Sequence, residues 1–416
     1  MLATDNTELL STTSLLMLYL PILIASFIVA VVLTPGIRWI AREAGIVDHP
    51  DEARKLHKKP IAYLGGFVIL FATLIGIGMS YTSFIEQPMM MKQVPFVIVF
   101  GMVAIAFTGF VDDIWGSYSW HKTAGQLVAA AAMAQQGIGT KVAMGFLNGI
   151  GVPRDISEFS FLEPSVILLD PITPAYIIGI IIIALFILGA CNAANFIDGL
   201  DGLLSGVTAI TAIGILAISL IVISAITPEK LVLLEQSMPV DSLGMQGIEG
   251  VTFIGANIVL CMAVLGAVLG FLVYNFNPAS IFLGDTGSLL LGYLCIVMVL
   301  MLGENGQTHL VIAGMIVFAL PIMDTALAIT RRKMSGKSIY EPDANHIHHI
   351  FKRKFGSVKK AVFALYGMSA LFAFIGVALA WVQVIGQVRA WIIYVIAGLM
   401  FGLIGLKAIK SARRFE

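Results

Sequence analysis

Aspartates and asparagines recur in short strings along this chain: Asp112-Asp113, then Asn192-Ala-Ala-Asn195-Phe-Ile-Asp198-Gly-Leu-Asp201-Gly202, then Gly284-Asp285-Thr286-Gly287-Ser288. Two further strings add imidazoles: Asp48-His49-Pro50-Asp51 running on to Lys55-Leu56-His57, and His346-Ile-His348-His349. Carboxylate, amide and water oxygens are the ligands of a hard divalent ion, which points to Mg2+, with Mn2+ as its substitute. Zinc would call for histidines at short spacing from the acids. Lys122, Arg331, Arg332 and the histidines offer donors suited to phosphate oxygens. Carboxylates, metal and such donors together are the apparatus of phosphoryl transfer. Spacing restricts the roles. Asp112 and Asp113 point about 100° apart on a helix, so one faces a metal and the other a neighbour. Asn195, Asp198 and Asp201 share a face only if the helix continues, and Gly199 and Gly202 argue against that. Gly284 and Gly287 allow close backbone approach, and a helix starting there would aim free amides at an anion.

These strings must be held by membrane helices. The chain has 416 residues, of which 58% are hydrophobic and 12% charged, with a mean hydropathy of +0.95; soluble domains carry about twice that share of charge. A net charge of zero removes the global field that would recruit nucleic acid. Cys191, Cys261 and Cys295 lie in apolar runs without a CxxC-type neighbour and read as packed hydrophobes. Stretches of about 20 apolar residues, enough to cross the hydrocarbon core, fall near 14–35, 61–80, 94–111, 123–140, 175–194, 203–227, 252–274, 286–302, 309–330, 361–383 and 388–406. The first follows a leader with Asp5 and Glu8 and no basic residue, so it reads as a retained span and not a signal peptide. The expected fold is an all-α polytopic membrane protein of about eleven transmembrane helices, one domain over residues 1–416, with a cytoplasmic loop at 331–360. Orientation follows from the 25 Lys and Arg. Only Lys92, Lys141, Arg154, Lys230 and Arg389 fall on one set of loops, which puts the N-terminus outside and the C-terminus in the cytoplasm.

Each string alone has a plainer reading: solvated carboxylates at a span end, a tight Asn/Asp/Gly turn, a basic lipid-headgroup patch. Their co-location is harder to explain that way. All of them fall at inner ends of spans, where carboxylates are costly and by default mark a site. Asp324 lies inside a span but only seven residues before Arg331, about 10 Å of helix, which sets it near the inner edge and not at the midplane where transporter sites gather. A secondary transporter is the alternative kept beside the enzyme reading. An intramembrane aspartyl protease fits less well, because it needs a Gly-x-Gly-Asp string and Phe282 stands where the first glycine would be.

The strings Val111-Asp-Asp113, Asn192 to Leu203, Phe282 to Ser288 and His346-Ile-His-His349 resemble those of the polyprenyl-phosphate N-acetylhexosamine-1-phosphate transferase family, the MraY–WecA–TagO superfamily. The resemblance runs from Asp48 to about Phe355, and the His-x-His-His string is most similar to the WecA/TagO branch. It implies transfer of an N-acetylhexosamine 1-phosphate, GlcNAc-1-phosphate being the best match, from a UDP-sugar to undecaprenyl phosphate. UMP is released and a lipid-linked surface glycan begins. It also implies Asp285 as chief magnesium ligand with Asn195 beside it, and Asp112, Asp113, Asp198 and Asp201 as the catalytic acids. Lys122, Asn192, His346, His348 and His349 would bind substrate, with Asp48 and His57 near the entrance. The implied partners are the UDP-sugar, undecaprenyl phosphate, membrane lipid and a second copy of the chain in a homodimer. The implied location is the bacterial plasma membrane, with the site on its cytoplasmic face. One role is limited by chemistry. A phosphate monoester has its second pKa near 6, so the lipid nucleophile is mostly dianionic at neutral pH and a general base adds little.

Overall fold

A computed structural model describes residues 12–48, 60–82, 85, 93–116, 119–134, 137–149, 173–225, 253–303, 306–336, 346–386 and 391–412. Among these, all but two short strands is helix or connection. In chain order the elements are α1 (Thr12–Glu43), β1 (Val47–Asp48), β2 (Ile61–Ala62), α2 (Gly65–Met79), α3 (Phe96–Trp115), α4 (Ser119–Ala134) and α5 (Ile138–Gly149). Then come α6 (Pro174–Ile197), α7 (Leu203–Ser224), α8 (Ile254–Asn275), α9 (Gly284–Met301), α10 (Thr308–Val317), α11 (Ala319–Met334), α12 (Ile347–Phe355), α13 (Val358–Val384) and α14 (Trp391–Ala412).

Each apolar run noted in the sequence contains helix among its described residues, but the helices are not equal. Seven described helices are long and apolar enough to cross a membrane, and α10 with α11, bent by 78° at Phe318, makes an eighth if the pair is one span. The chain is therefore a polytopic all-α membrane protein. The expectation of about eleven full-length helices is not met on those criteria. The run at 61–80 yields the 15-residue α2, because Ile61 and Ala62 are spent on β2 and Tyr63 and Leu64 on the turn into the helix. The run at 123–140 yields the 16-residue α4, broken before α5.

The interior is graded. In α9, 89% of the central window is buried, against 28% in α1 and in α13, so α9 is the axis around which the others pack. Helices buried all round must be apolar all round, and α7, α8 and α9 are. Small residues bring neighbours close. A Cβ on Gly292 would strike the backbone of Ala190 and Cys191 in α6, and one on Gly266 would strike Leu23 and Phe27 in α1.

At one end of α9 the chain departs from helix. β1 pairs antiparallel with β2, Val47 facing Ala62 and Asp48 facing Ile61. Ala62 also bridges to Ile281, and the amides of Gly65 and Gly66 donate to the carbonyls of Phe282 and Leu283. Leu64, the one described non-glycine residue with positive φ (77°), turns the chain from β2 into α2. The segment from Asn275 to Gly284, which contains a cis Asn277–Pro278 bond, is thereby tied to the first third of the chain.

Candidate active site

α6 is well started and deliberately stopped. Thr173 caps it, its hydroxyl accepting from the Tyr176 amide at 3.0 Å with Pro174 in the first turn. It ends at Ile197, with Asp198 half outside, and Gly202 at φ 77° restarts the chain as α7. The helix thus breaks where Gly199 and Gly202 made continuation doubtful, and Asp198 and Asp201 leave it in a turn. Asp201 ties that turn to the opposite loop. Its Oδ2 accepts from Asn277 Nδ2 at 2.8 Å and from the Ala279 amide at 3.0 Å. Asn275 closes the same loop, accepting from Ser205 at 3.0 Å and donating to the Ile281 carbonyl at 3.0 Å. From α13, the Tyr366 hydroxyl donates to the Gly202 carbonyl.

The start of α9 is held differently from the reading of the sequence. Its first amides do not face an open anion site. Asp113, from the last turn of α3, takes the Asp285 amide at 2.7 Å on one oxygen and the Thr286 amide at 3.0 Å and hydroxyl at 2.6 Å on the other. The carboxylate serves as an N-cap supplied by another helix. Glycines make room for it: a Cβ on Gly284, at φ 69°, would lie 2.6 Å from Asp113 Oδ2. Asp112 turns the other way, as residues about 100° apart must, and pairs with Lys122 Nζ at 2.7 Å.

Lys122 also pairs with Asp285, so one ammonium bridges Asp112 and Asp285. The other oxygen of Asp285 accepts from Asn195 Nδ2 at 2.8 Å, and the same amide donates to Ser288 at 2.9 Å. Burial pulls the Lys122 pKa down, but the charges of Asp285 and Asp112 outweigh it and the net shift is upward. The Asp198 amide donates to the Asn195 carbonyl at 3.4 Å, and its carboxyl lines a cavity. Burial raises its pKa to about 8, with Asp285, Asp201 and Asp113 adding repulsion.

These groups open on a cavity of about 470 Å³ lined by Asp48, Asn195, Asp198, Asp201, Asp285 and His349 among others, within the range of small-molecule sites. Tyr63 and Lys352 also line it and were not singled out in the sequence. Lys352 could have been, being three residues after His349 on a helix face. Tyr63 carries no such signal; it arrives through the β1–β2 pairing and hydrogen-bonds to Asp48. Asn192 stands behind the wall. Its Nδ2 donates to the Leu188 carbonyl at 2.7 Å and to Gln126 at 3.3 Å. His57 lies outside the described residues.

The histidines divide in the same way. His346 Nδ1 is 2.9 Å from one oxygen of the fully buried Asp324, whose other oxygen takes the Ile347 amide at 2.8 Å. Asp324 therefore both orients His346 and caps α12. His348 is buried against Gly199. Burial, then the neighbouring His349, lowers its pKa to about 3, which favours the neutral ring near pH 7. His349 reaches the cavity.

The donors at the cavity fit a hard divalent ion in kind: the carboxyls of Asp198 and Asp285 and the carbonyl oxygen of Asn195. Among the described residues no three His, Cys, Asp or Glu side chains converge as a ready-made cage. One or two carboxylates with the remaining positions left to substrate phosphates and water is the usual habit of Mg2+.

A family model described as glycosyl transferase family 4 matches residues 95–303, half of the chain, from before Asp112 to beyond Ser288. The chain belongs to glycosyl transferase family 4. It is 28% identical over 357 residues to a probable undecaprenyl-phosphate N-acetylglucosaminyl 1-phosphate transferase of Bacillus subtilis, covering 86% of this chain and 83% of that one. It is 29% identical to a decaprenyl-phosphate N-acetylglucosaminephosphotransferase of Mycolicibacterium smegmatis, over 82% of this chain and 77% of that one. A shorter match, 28% over 159 residues, links it to the undecaprenyl-phosphate alpha-N-acetylglucosaminyl 1-phosphate transferase of Escherichia coli K12. The family 4 match spans all three acidic strings that meet at α9. It ends before His346, whose place beside the site is fixed by Asp324.

Proposed function

We infer that this chain transfers N-acetylglucosamine 1-phosphate from UDP-N-acetylglucosamine to undecaprenyl phosphate, releasing UMP and starting a lipid-linked surface glycan. The observation that carries this reading is the cavity at the start of α9. There, in a family whose relatives are named for that transfer, Asp198 and Asp285 face His349 and Lys352 across a space that suits a nucleotide-sugar. In the reaction an oxygen of the lipid phosphate attacks the β-phosphorus of the UDP-sugar. The bond from that phosphorus to the UMP oxygen breaks, and UMP leaves with the electron pair. The nucleophile is already a dianion at neutral pH, so repulsion between it and the diphosphate is the main obstacle. Lys122 and Lys352 offset that repulsion, and Asp113, Asp201 and Asn275 hold the backbone that carries Asp285 and Asp198. Bound at Asp285 with Asp198 and the Asn195 carbonyl as further donors, Mg2+ would neutralise charge on the diphosphate oxygens. Asp112 engages the lipid phosphate through Lys122 and not as a strong base.

About eleven crossings, with the N-terminus outside, the C-terminus inside and the cavity on the cytoplasmic face of a bacterial plasma membrane, agree with the Lys and Arg distribution. A cytoplasmic nucleotide-sugar then meets a lipid-borne phosphate at the inner boundary. The test is purified protein with undecaprenyl phosphate, Mg2+ and a panel of UDP-sugars, scored for UMP and lipid product. The reading expects product with UDP-N-acetylglucosamine only when lipid phosphate is present. UMP release without lipid phosphate, or preference for another hexosamine, contradicts it.

A further inference from the structure

α12 has three faces. At 100° per residue, Ile347, His348 and Phe351 lie toward the protein, His349 and Lys352 toward the cavity, and Ile350, Arg353 and Lys354 on the remaining side. Burial agrees: Ile347 and His348 are buried, His349 and Lys352 line the cavity, and Ile350, Arg353 and Lys354 are exposed. The helix is pinned at its start by Asp324 on the Ile347 amide and stops at Gly356, φ 63°. Two residues later α13 begins, a 27-residue apolar span whose first turn carries exposed Lys359 and Lys360. The outer face of α12 is therefore within a turn or two of the point where a span enters the bilayer, and the exposed Ile350 and Phe355 suit that depth.

The charge of this corner is one-sided. From Ala344 to Phe415 the sequence contains no Asp or Glu, while Lys352, Arg353, Lys354, Lys359 and Lys360 fall within nine residues. Clusters of Lys and Arg next to a span attract anionic headgroups, at about 1 kcal/mol per charge. A general excess of cations on inner loops accounts for their presence but not for their place on the helix that carries two cavity-lining residues.

We propose that the outward cations of α12 and the first turn of α13, Lys354, Lys359 and Lys360 with Arg353, bind anionic phospholipid headgroups, and that this contact holds His349 and Lys352 in register with the cavity. The activity of the enzyme then responds to the surface charge of its bilayer. The catalytic consequence rests on the transferase reading; the lipid binding does not.

The test compares full-length wild type with the triple variant Lys354→Gln, Lys359→Gln, Lys360→Gln, none of which lines the cavity. Native mass spectrometry of protein released from mixed phosphatidylglycerol and phosphatidylcholine counts retained lipids. Wild type should retain phosphatidylglycerol preferentially, and each neutralised charge should weaken that retention about fivefold, the equivalent of about 1 kcal/mol. In liposomes at a fixed amount of undecaprenyl phosphate, adding phosphatidylglycerol to phosphatidylcholine should lower the KM of wild type for the UDP-sugar several-fold. The variant should match wild type in phosphatidylcholine alone and show no such response. Equal retention of phosphatidylglycerol by both proteins overturns the proposal whatever the enzyme's substrate proves to be. So does a variant that loses activity equally in both liposomes, which would assign these lysines to capture of the lipid substrate.

Discussion

Adjacent aspartates do different work here. Asp113 satisfies the first amides of the most buried helix, whereas Asp112 shares a lysine with Asp285. An N-cap removed costs about 1–2 kcal/mol, and this one also positions Asp285. Asp113→Ala should lower both the melting temperature and the rate, while Asp112→Ala should lower the rate with the melting temperature unchanged. Thermal unfolding of the two purified variants beside wild type is the check, and equal melting temperatures would remove the cap from the account. Residue types and spacing made the inventory of acids and histidines legible, including the divergence of Asp112 and Asp113. Spacing could not say which carboxylates hold protein and which face the cavity, because that depends on partners more than 70 residues away, such as Thr286 for Asp113 and Asn277 and Ala279 for Asp201. The buried Asp324 was visible as an anomaly, but its partner His346 is 22 residues further along the chain, beyond the end of α11.

At the scale of elements, the site is where two glycine-lined approaches meet the start of α9. Gly109 of α3 and Gly66 of α2 both lie against the Asp285–Gly287 backbone, where an added Cβ would strike main chain and not a flexible side-chain end. Gly109→Ala should therefore displace Asp285 relative to Lys122 and Asn195. A loss of at least tenfold in kcat is expected, with a smaller change for Gly367→Ala, where a Cβ meets nothing within 4 Å. Comparable losses in both would show that helix glycines in general, and not this contact, are at stake. Apolar runs announced the long helices, since a continuous hydrophobic stretch reports helix in a membrane chain, but α5 and α12 fall almost wholly outside those runs. Lengths were misjudged where polar geometry intrudes: Tyr63 and Leu64 belong to the approach of α2, and the bend at Phe318 divides one run into α10 and α11.

Across the whole molecule, an apolar bundle holds its polar chemistry at one end. The proposed orientation, with that end inside, rests on the Lys and Arg distribution, and packing alone does not address it. Single cysteines placed at residues 3 and 415 should react differently with an impermeant maleimide on intact cells, the first labelled and the second protected. The native Cys191, Cys261 and Cys295 are buried and free, so they contribute little background. Labelling of both ends would refute an odd number of crossings.

The central claim is that Asp285, at the head of the most enclosed helix, is the group around which transfer is organised, and that Asp112 is not an essential base. UMP release from UDP-N-acetylglucosamine and undecaprenyl phosphate, followed across neutral pH for wild type, Asp285→Ala and Asp112→Ala, tests it most directly. The account predicts a fall of about 100-fold or more for Asp285→Ala, the scale of a lost electrostatic stabiliser, and a clearly smaller one for Asp112→Ala. Equal losses at every pH, or a wild-type rate in Asp285→Ala, would contradict it.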